Sequence, residues 1–171
     1  MDLLKTVCNI VKKGMNLSDD QIWIYNQKID IPNDNRLYVV VSLKNESIFG
    51  NNIQYQDANN GLEEVIWTNL VSDVSIELFS YNTQALNRRY DILTSMRSTY
   101  SLQQQELYNM NISRQPTVFL DSSFASPTAR LYSFYSEFRI THIEKNTRSV
   151  EYYDDFSRAD MSNKENIKVN L

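Results

Sequence analysis

QIWIYNQKIDIPNDNRLYVVVSLKNESIFGNN, residues 21–52, decides how this chain is read. Ile22-Trp23-Ile24-Tyr25 opens an extended segment, and Pro32 forces Ile31 away from helical angles. The stretch therefore reads as two strands joined by an Ile31-Pro32-Asn33-Asp34-Asn35 turn. In LYVVVSL, side chains alternate across the strand, so Leu37, Val39, Val41 and Leu43 share one face and Tyr38, Val40 and Ser42 the other. Both faces are largely apolar, which predicts a strand with neighbours on both sides. From Lys44 to Asn60 the chain turns polar and Asn-rich, punctuated by Gly50 and Gly61. This reads as a long loop, of the kind that carries function in a compact domain.

Working outward, Leu3, Leu4, Val7, Ile10 and Val11 recur at helical spacing. Lys12 and Lys13 suit the negative end of the helix dipole, and Gly14 suits a left-handed C-cap. Glu63 to Trp67 and Ser72 to Ser80 read as strands, the second with Val74, Ile76 and Leu78 alternating with Asp73, Ser75 and Glu77. Asn82 or Thr83 caps a following helix whose buried stripe is Leu86, Tyr90, Leu93, Met96 and Tyr100. Ser101 to Glu106 either extends that helix or starts a second one. Pro116 and Pro127 interrupt the stretch from Asn109 to Ala129, where PTVFLDS offers a short strand. Tyr132 to Glu144 and Arg148 to Phe156 read as a hairpin through Lys145-Asn146-Thr147. The residues after Ser157 are polar and read as an extension, 157–171. With no internal repeat and no boundary, the prediction is one α+β domain over 1–171. Its mostly antiparallel sheet is packed by an N-terminal helix and a central amphipathic helix.

Composition narrows the function classes. With 171 residues, 42% hydrophobic and 22% charged, the chain can build a real core. A net charge of −4 argues against a tight grip on nucleic acid, which needs a basic surface to release counterions. It remains compatible with a wall that DNA passes without sticking. One cysteine, Cys8, excludes an intrachain disulfide and CxxC chemistry. The N-terminus lacks the pattern of a secretory signal, and no window approaches the roughly 18 apolar residues of a membrane span. The expectation is a soluble protein of a reducing compartment.

Reactive groups are sparse. His142 is the single histidine, so a site built on several imidazoles is excluded, and no GxSxG elbow accompanies it. A lone strand histidine and a cysteine beside an apolar helix stripe read as structural residues. The acidic pairs Asp19-Asp20, Glu63-Glu64 and Asp154-Asp155 point to opposite faces of a strand and read as solvated charge. Asp30 to Arg36 lacks the glycine and distal glutamate of a calcium loop. The three glycines are too scattered for a phosphate-binding loop. No cofactor and no catalytic residue is predicted. Eleven tyrosines among many Asn and Gln residues suit contact surfaces, although coding bias gives the same composition.

Three phrases carry a family resemblance: IWIYNQKIDIPNDNRLYVVVSL with IFGNN, DVSIELFSYNTQALNRRYDILTSMRSTYSLQQQE, and the closing EFRITHIEKNTRSVEYYDDF. Together they resemble the neck or tail terminator proteins of tailed bacteriophages, from about Ile22 to Phe156, with Met110 to Phe134 unmatched. The resemblance implies a tail-terminator-like fold and a hexameric ring that caps the tail tube or joins neck to tail. Such a ring would leave a channel through which genomic DNA passes without specific binding. The implied partners are further copies of the chain and adjacent tail-tube and neck proteins, with no membrane. The implied location is the virion, after synthesis in the bacterial cytoplasm. Assembly contacts are expected at Ile48, Phe49, Asn51, Asn52 and Tyr55, at Arg88, Arg89, Gln103 and Gln104, and at Phe124 and Arg130. A related connector or tail-tube subunit shares the ring logic. A small hydrolase or nucleotide-binding domain is disfavoured by the missing glycine-rich loop and the single histidine.

Overall fold

The computed structural model describes residues 2–25, 32–58, 61–114, 116, 118–125 and 130–150. The first helix, α1 (Leu3–Met15), forms where the apolar spacing predicts it. The Asp2 carboxylate caps it by accepting from the Lys5 N–H at 3.1 Å. Its end differs from expectation: Gly14 lies inside the helix, and the left-handed cap is Asn16 at φ 52°. Asparagine tolerates that geometry, which leaves Gly14 available for another task. A Cβ on Gly14 would collide with the Ser95 side chain and sit 2.8 Å from its Cα. The glycine is what lets α1 lie directly on the helix that carries Ser95.

The strands are β1 (Ile22–Ile24), β2 (Tyr38–Ala58), β3 (Gly61–Ser80), β4 (Met110–Arg114), β5 (Leu120–Asp121), β6 (Phe124–Ala125) and β7 (Arg130–Val150). Among the described residues they form a seven-stranded sheet in the order β1-β2-β3-β7-β4, with β5 and β6 also on β7. β4, β5 and β6 run antiparallel to β7. Cross-strand side-chain pairs descend in number from Arg139–Asp73 to Arg148–Glu64, so β3 and β7 are antiparallel too. β1 is the exception: it pairs parallel with β2, Ile22 opposite Val39 and Ile24 opposite Val41. A five-residue turn between the two strands would fold them antiparallel, so the expected strand–turn–strand is corrected to a parallel pair. Residues 26–31 of that connection lie outside the described residues.

Two further expectations are overturned. The loop expected from Lys44 to Asn60 is strand through Ala58, and β3 is one continuous strand from Gly61 onward. The turn expected at Lys145-Asn146-Thr147 is strand as well, within β7. Cross-strand partners hold the polar residues extended there: the Lys145 ammonium lies 5.1 Å from the Trp67 ring centre, and Arg148 pairs with Glu64. The sequence there also lacks the glycine that tight hairpins favour. Of the expected second arm, Arg148 to Phe156, residues 148–150 end β7, and the rest falls with the polar extension in 151–171, outside the described residues. The single central helix is three segments, α2 (Gln84–Arg88), α3 (Asp91–Met96) and α4 (Thr99–Leu107). Ser98 caps the last by accepting from the Ser101 N–H. Tyr90, expected in the buried stripe, is exposed, whereas Ala85, Ile92 and Met96 are buried.

Chain contacts divide the protein into two compact units, Met1–Gly50 with Thr68–Glu144, and Asn51–Trp67 with Lys145–Leu171. In the first unit one sheet face carries Val39 and Val41 from β2, with Leu37 just before it, Val74, Ile76 and Leu78 from β3, and Phe138 and Ile140 from β7. Against it pack Val7, Ile10, Val11 and Met15 of α1 with Ile92 and Met96 of α3. The other face is bound by polar pairs: the Arg139 guanidinium on Asp73 at 2.8 and 3.0 Å, Ser42 with Ser75 at 2.7 Å, and the Ser133 hydroxyl on Glu77 at 2.9 Å. Arg36 binds Asp20 at 2.6 Å and Asp34 at 2.9 Å, beside a Tyr38 ring stacked on Trp23. The Ser18 hydroxyl and then Arg36 hold the Asp20 carboxyl below its ordinary value. The Tyr38 hydroxyl, followed by Arg36, does the same for Asp34.

The close approach at Gly14 yields a sign test. Alanine raises helix propensity by about 1 kcal/mol where space allows. Here overpacking reverses the sign: Gly14→Ala is expected to cost about 1–3 kcal/mol by denaturant unfolding. Combining it with Ser95→Gly, which removes the side chain in the way, should recover part of that loss.

Candidate assembly surface

The sequence-predicted contact residues fall on three elements groups. Five lie on β2. Ile48 and Phe49, in the first unit, are both more than 60% exposed. Consecutive strand residues point to opposite faces, so neither face of the sheet is covered at that point. Asn51, Asn52 and Tyr55, in the second unit, are exposed as well. Tyr55 has a partner, donating to Glu64 Oε1 at 3.3 Å, and the buried Glu64 carboxylate also takes the Arg148 guanidinium.

The strand edges are open along the same stretch. β1 pairs with β2 only at Val39–Val41, with one further bond from the Tyr25 N–H to the Val41 carbonyl. Beyond that, the outer edge of β2 has no strand partner among the described residues. On β7, β4 reaches only from Arg139 to His142, which leaves the outer edge open from Ile143 to Val150 among the described residues. An open edge is a row of unpaired backbone donors and acceptors, ready to pair with another chain.

The helical candidates divide. Arg88 is committed internally, donating to the Met15 carbonyl at 2.6 Å and to Asp91 at 3.0 Å. It locks the end of α1 to α2 and α3 and is not a free contact residue. Arg89 donates to the Leu86 carbonyl and lies over the Tyr90 ring at 4.5 Å. Gln103 is exposed on α4 and Gln104 half-buried. Sequence reasoning missed their neighbours Leu102, Leu107 and Tyr108, all exposed. Leu102 falls off the Leu93–Met96–Tyr100 stripe, a signal that was present in the spacing, whereas Leu107, seven residues past Tyr100, continues the stripe and gave no such signal. Phe124, on β6, is 67% exposed opposite Leu131, and Arg130 is opposite Ala125 with its guanidinium 4.7 Å from the Tyr132 ring centre.

Reactive groups are placed for structure. Burial pushes the Cys8 thiol up to about 12, which suppresses the thiolate a nucleophile needs. His142 is buried on β7 with its Nε2 3.0 Å from Ser72 Oγ. The Ser72 hydroxyl donates to Glu46 Oε1 at 2.7 Å, and Ser72 is fully buried, so this is no activated serine. Among the described residues no three of His, Cys, Asp and Glu are placed to hold a metal ion. No helix among them is long and apolar enough to cross a membrane.

Side chains exposed on both faces of a strand add little to the stability of the isolated chain. Ile48→Ser and Phe49→Ser are each expected to leave unfolding free energy within about 0.5 kcal/mol. Phe138→Ser, in the core, should lower it by several-fold more, about 3–5 kcal/mol. Thermal and denaturant melts check both. Comparison of the chain with protein-family models and with curated proteins returns no match.

Proposed function

We propose that the chain is a structural virion protein of a tailed bacteriophage, a ring subunit that ends the tail tube or joins neck to tail. The observation that carries this reading is Ile48 and Phe49, exposed on opposite faces of a strand whose outer edge beyond Val41 has no strand partner among the described residues. Surfaces of this kind are retained where a partner covers them. The resemblance of residues 22–52, 73–106 and 137–156 to neck and tail terminator proteins supplies the kind of partner: further copies of the chain and the adjoining tail and neck proteins.

The mechanism is geometric. One protomer's edge and apolar strand residues meet a different patch on the next copy, and repetition closes a ring, a hexamer on the family resemblance. The wall acts by shape, halting tube growth while DNA passes. The net charge of −4 suits a lumen that does not hold phosphate. A connector or tube subunit would use the same contacts; a terminator is present as one ring per virion, whereas tube subunits stack repeatedly.

Electron microscopy of particles lacking the protein tests the proposal. Overlong tubes, or heads and tails left unjoined, are the expected result, and Phe49→Asp should reproduce it with a folded protein. Normal infectious particles in its absence would overturn the reading.

A further inference from the structure

Arg130, Tyr132 and Phe134 alternate along β7, so their side chains share one face of the strand. The Arg130 guanidinium lies 4.7 Å from the Tyr132 ring centre. From the break between α2 and α3, Arg89 reaches the Phe134 ring at 5.5 Å and the Tyr90 ring at 4.5 Å. Phe119 meets Tyr90 edge to face, with ring centres 5.6 Å apart. The result is a strip in which two arginines flank a row of rings. Phe134 is its buried floor, Tyr90 is 57% exposed, Arg130 is exposed, and Arg89, Phe119 and Tyr132 are half-buried. Arginine and aromatic side chains set together in this way are what contact surfaces between chains favour.

The charges of the strip do not balance. Ion pairs among the described residues take Lys12, Arg36, Arg88, Arg139 and Arg148, and leave out Arg89 and Arg130. One carboxylate belongs to the strip, Asp121, opposite Phe134 in the strand register. Ser123 holds the Asp121 carboxyl below its ordinary value, first through its hydroxyl and then through its N–H at 2.9 Å, and the charges of Arg130 and Arg89 add to this. Two guanidiniums around one carboxylate leave a positive charge in excess. Arg89 donates to the Leu86 carbonyl and the Tyr90 hydroxyl, while the Arg130 guanidinium has no hydrogen-bond partner among the described residues. A guanidinium carries five N–H donors, so most of them remain open to incoming carboxylates.

The sequence holds one run of six in which every residue is acidic or aromatic: Glu151-Tyr152-Tyr153-Asp154-Asp155-Phe156. We propose that the strip docks this run from a second copy of the chain. Its carboxylates take the Arg89 and Arg130 guanidiniums, its rings pack against Tyr90 and Tyr132, and a tyrosine hydroxyl donates to Asp121. Single-stranded nucleic acid also stacks on rings beside arginines, but each nucleotide brings a phosphate, which Asp121 and the net charge of −4 repel. The inference rests on self-association of the chain and not on a place in a virion.

The test uses the full chain with Tyr153→p-benzoylphenylalanine, mixed in equal parts with a heavy-nitrogen unaltered chain and irradiated. The expected product joins the light peptide around residue 153 to a heavy peptide that carries Arg89–Tyr90, Phe119–Asp121 or Arg130–Phe134. Arg130→Gln in the heavy chain should lower its yield at least about fivefold at unchanged melting temperature, and Asp154→Asn with Asp155→Asn in the light chain should do the same. Products elsewhere, products confined to one isotope, or full yield with Arg130→Gln would overturn the proposal. Loss of the product on adding equimolar oligothymidylate would overturn it too, marking a nucleic-acid platform. A mixed-isotope product alongside normal particles in the protein's absence would keep this contact and remove the virion role; overlong tubes without such a product would do the reverse.

Discussion

Coverage of one apolar sheet face by α1, seated against α3, is the constraint from which the rest follows. The helix α1 has 13 residues, about 20 Å of length at 1.5 Å per residue. The strands β2 and β7 have 21 residues each, about 70 Å of chain at 3.3 Å per residue. The helix can cover only part of such a strand, and it does so where Leu37, Val39, Val41, Ile76 and Ile140 lie at zero exposure. Gly14 makes that cover tight, because a side chain there would push α1 off α3. Elsewhere on the same strands the cover is lost at Ile48 and Phe49, which face solvent, while His142 and Ser72 are buried in a polar cluster.

That division of labour explains why a chain poor in reactive groups can still have a defined function. The covered part is tied on its other face by Arg139–Asp73 and the serine pairs. The uncovered strands offer what recognition between chains requires, backbone edges unpaired among the described residues for register and exposed side chains for affinity. The proposed role as a ring subunit would use such features without chemistry.

Much of the fold was legible because burial imposes period on sequence. LYVVVSL reads as a strand with two covered faces, and Tyr38 and Val40 on one face are indeed as buried as Val39 and Val41 on the other. The N-terminal helix was legible for the same reason. Lys44 to Asn60 was not, since a strand exposed on both faces has no apolar alternation, and its Asn and Gly residues disfavour extended structure when taken alone. Only the partner strand β3 holds it extended. The helical stripe was misplaced because the helix breaks near Arg89–Tyr90 and again at Arg97–Ser98, so one 3.6-residue period does not run through. Of the expected contact residues, those on β2, Gln103, Phe124 and Arg130 are exposed, while Arg88 binds within the fold; a two-residue basic run does not reveal which arginine finds an internal carbonyl. The cluster of Glu46, Ser72 and His142 depends on three strands meeting, and no local motif announces it.

The account rests on self-association of the purified chain through its uncovered strands. Native mass spectrometry across a concentration series measures this directly, with Phe49→Asp as the paired variant. The account predicts one closed oligomeric species in the unaltered protein, a hexamer on the family resemblance, and its loss in the variant while the monomer stays folded. A monomer at every concentration, or an oligomer indifferent to Phe49→Asp and to charges placed along the open edge of β2, would contradict it.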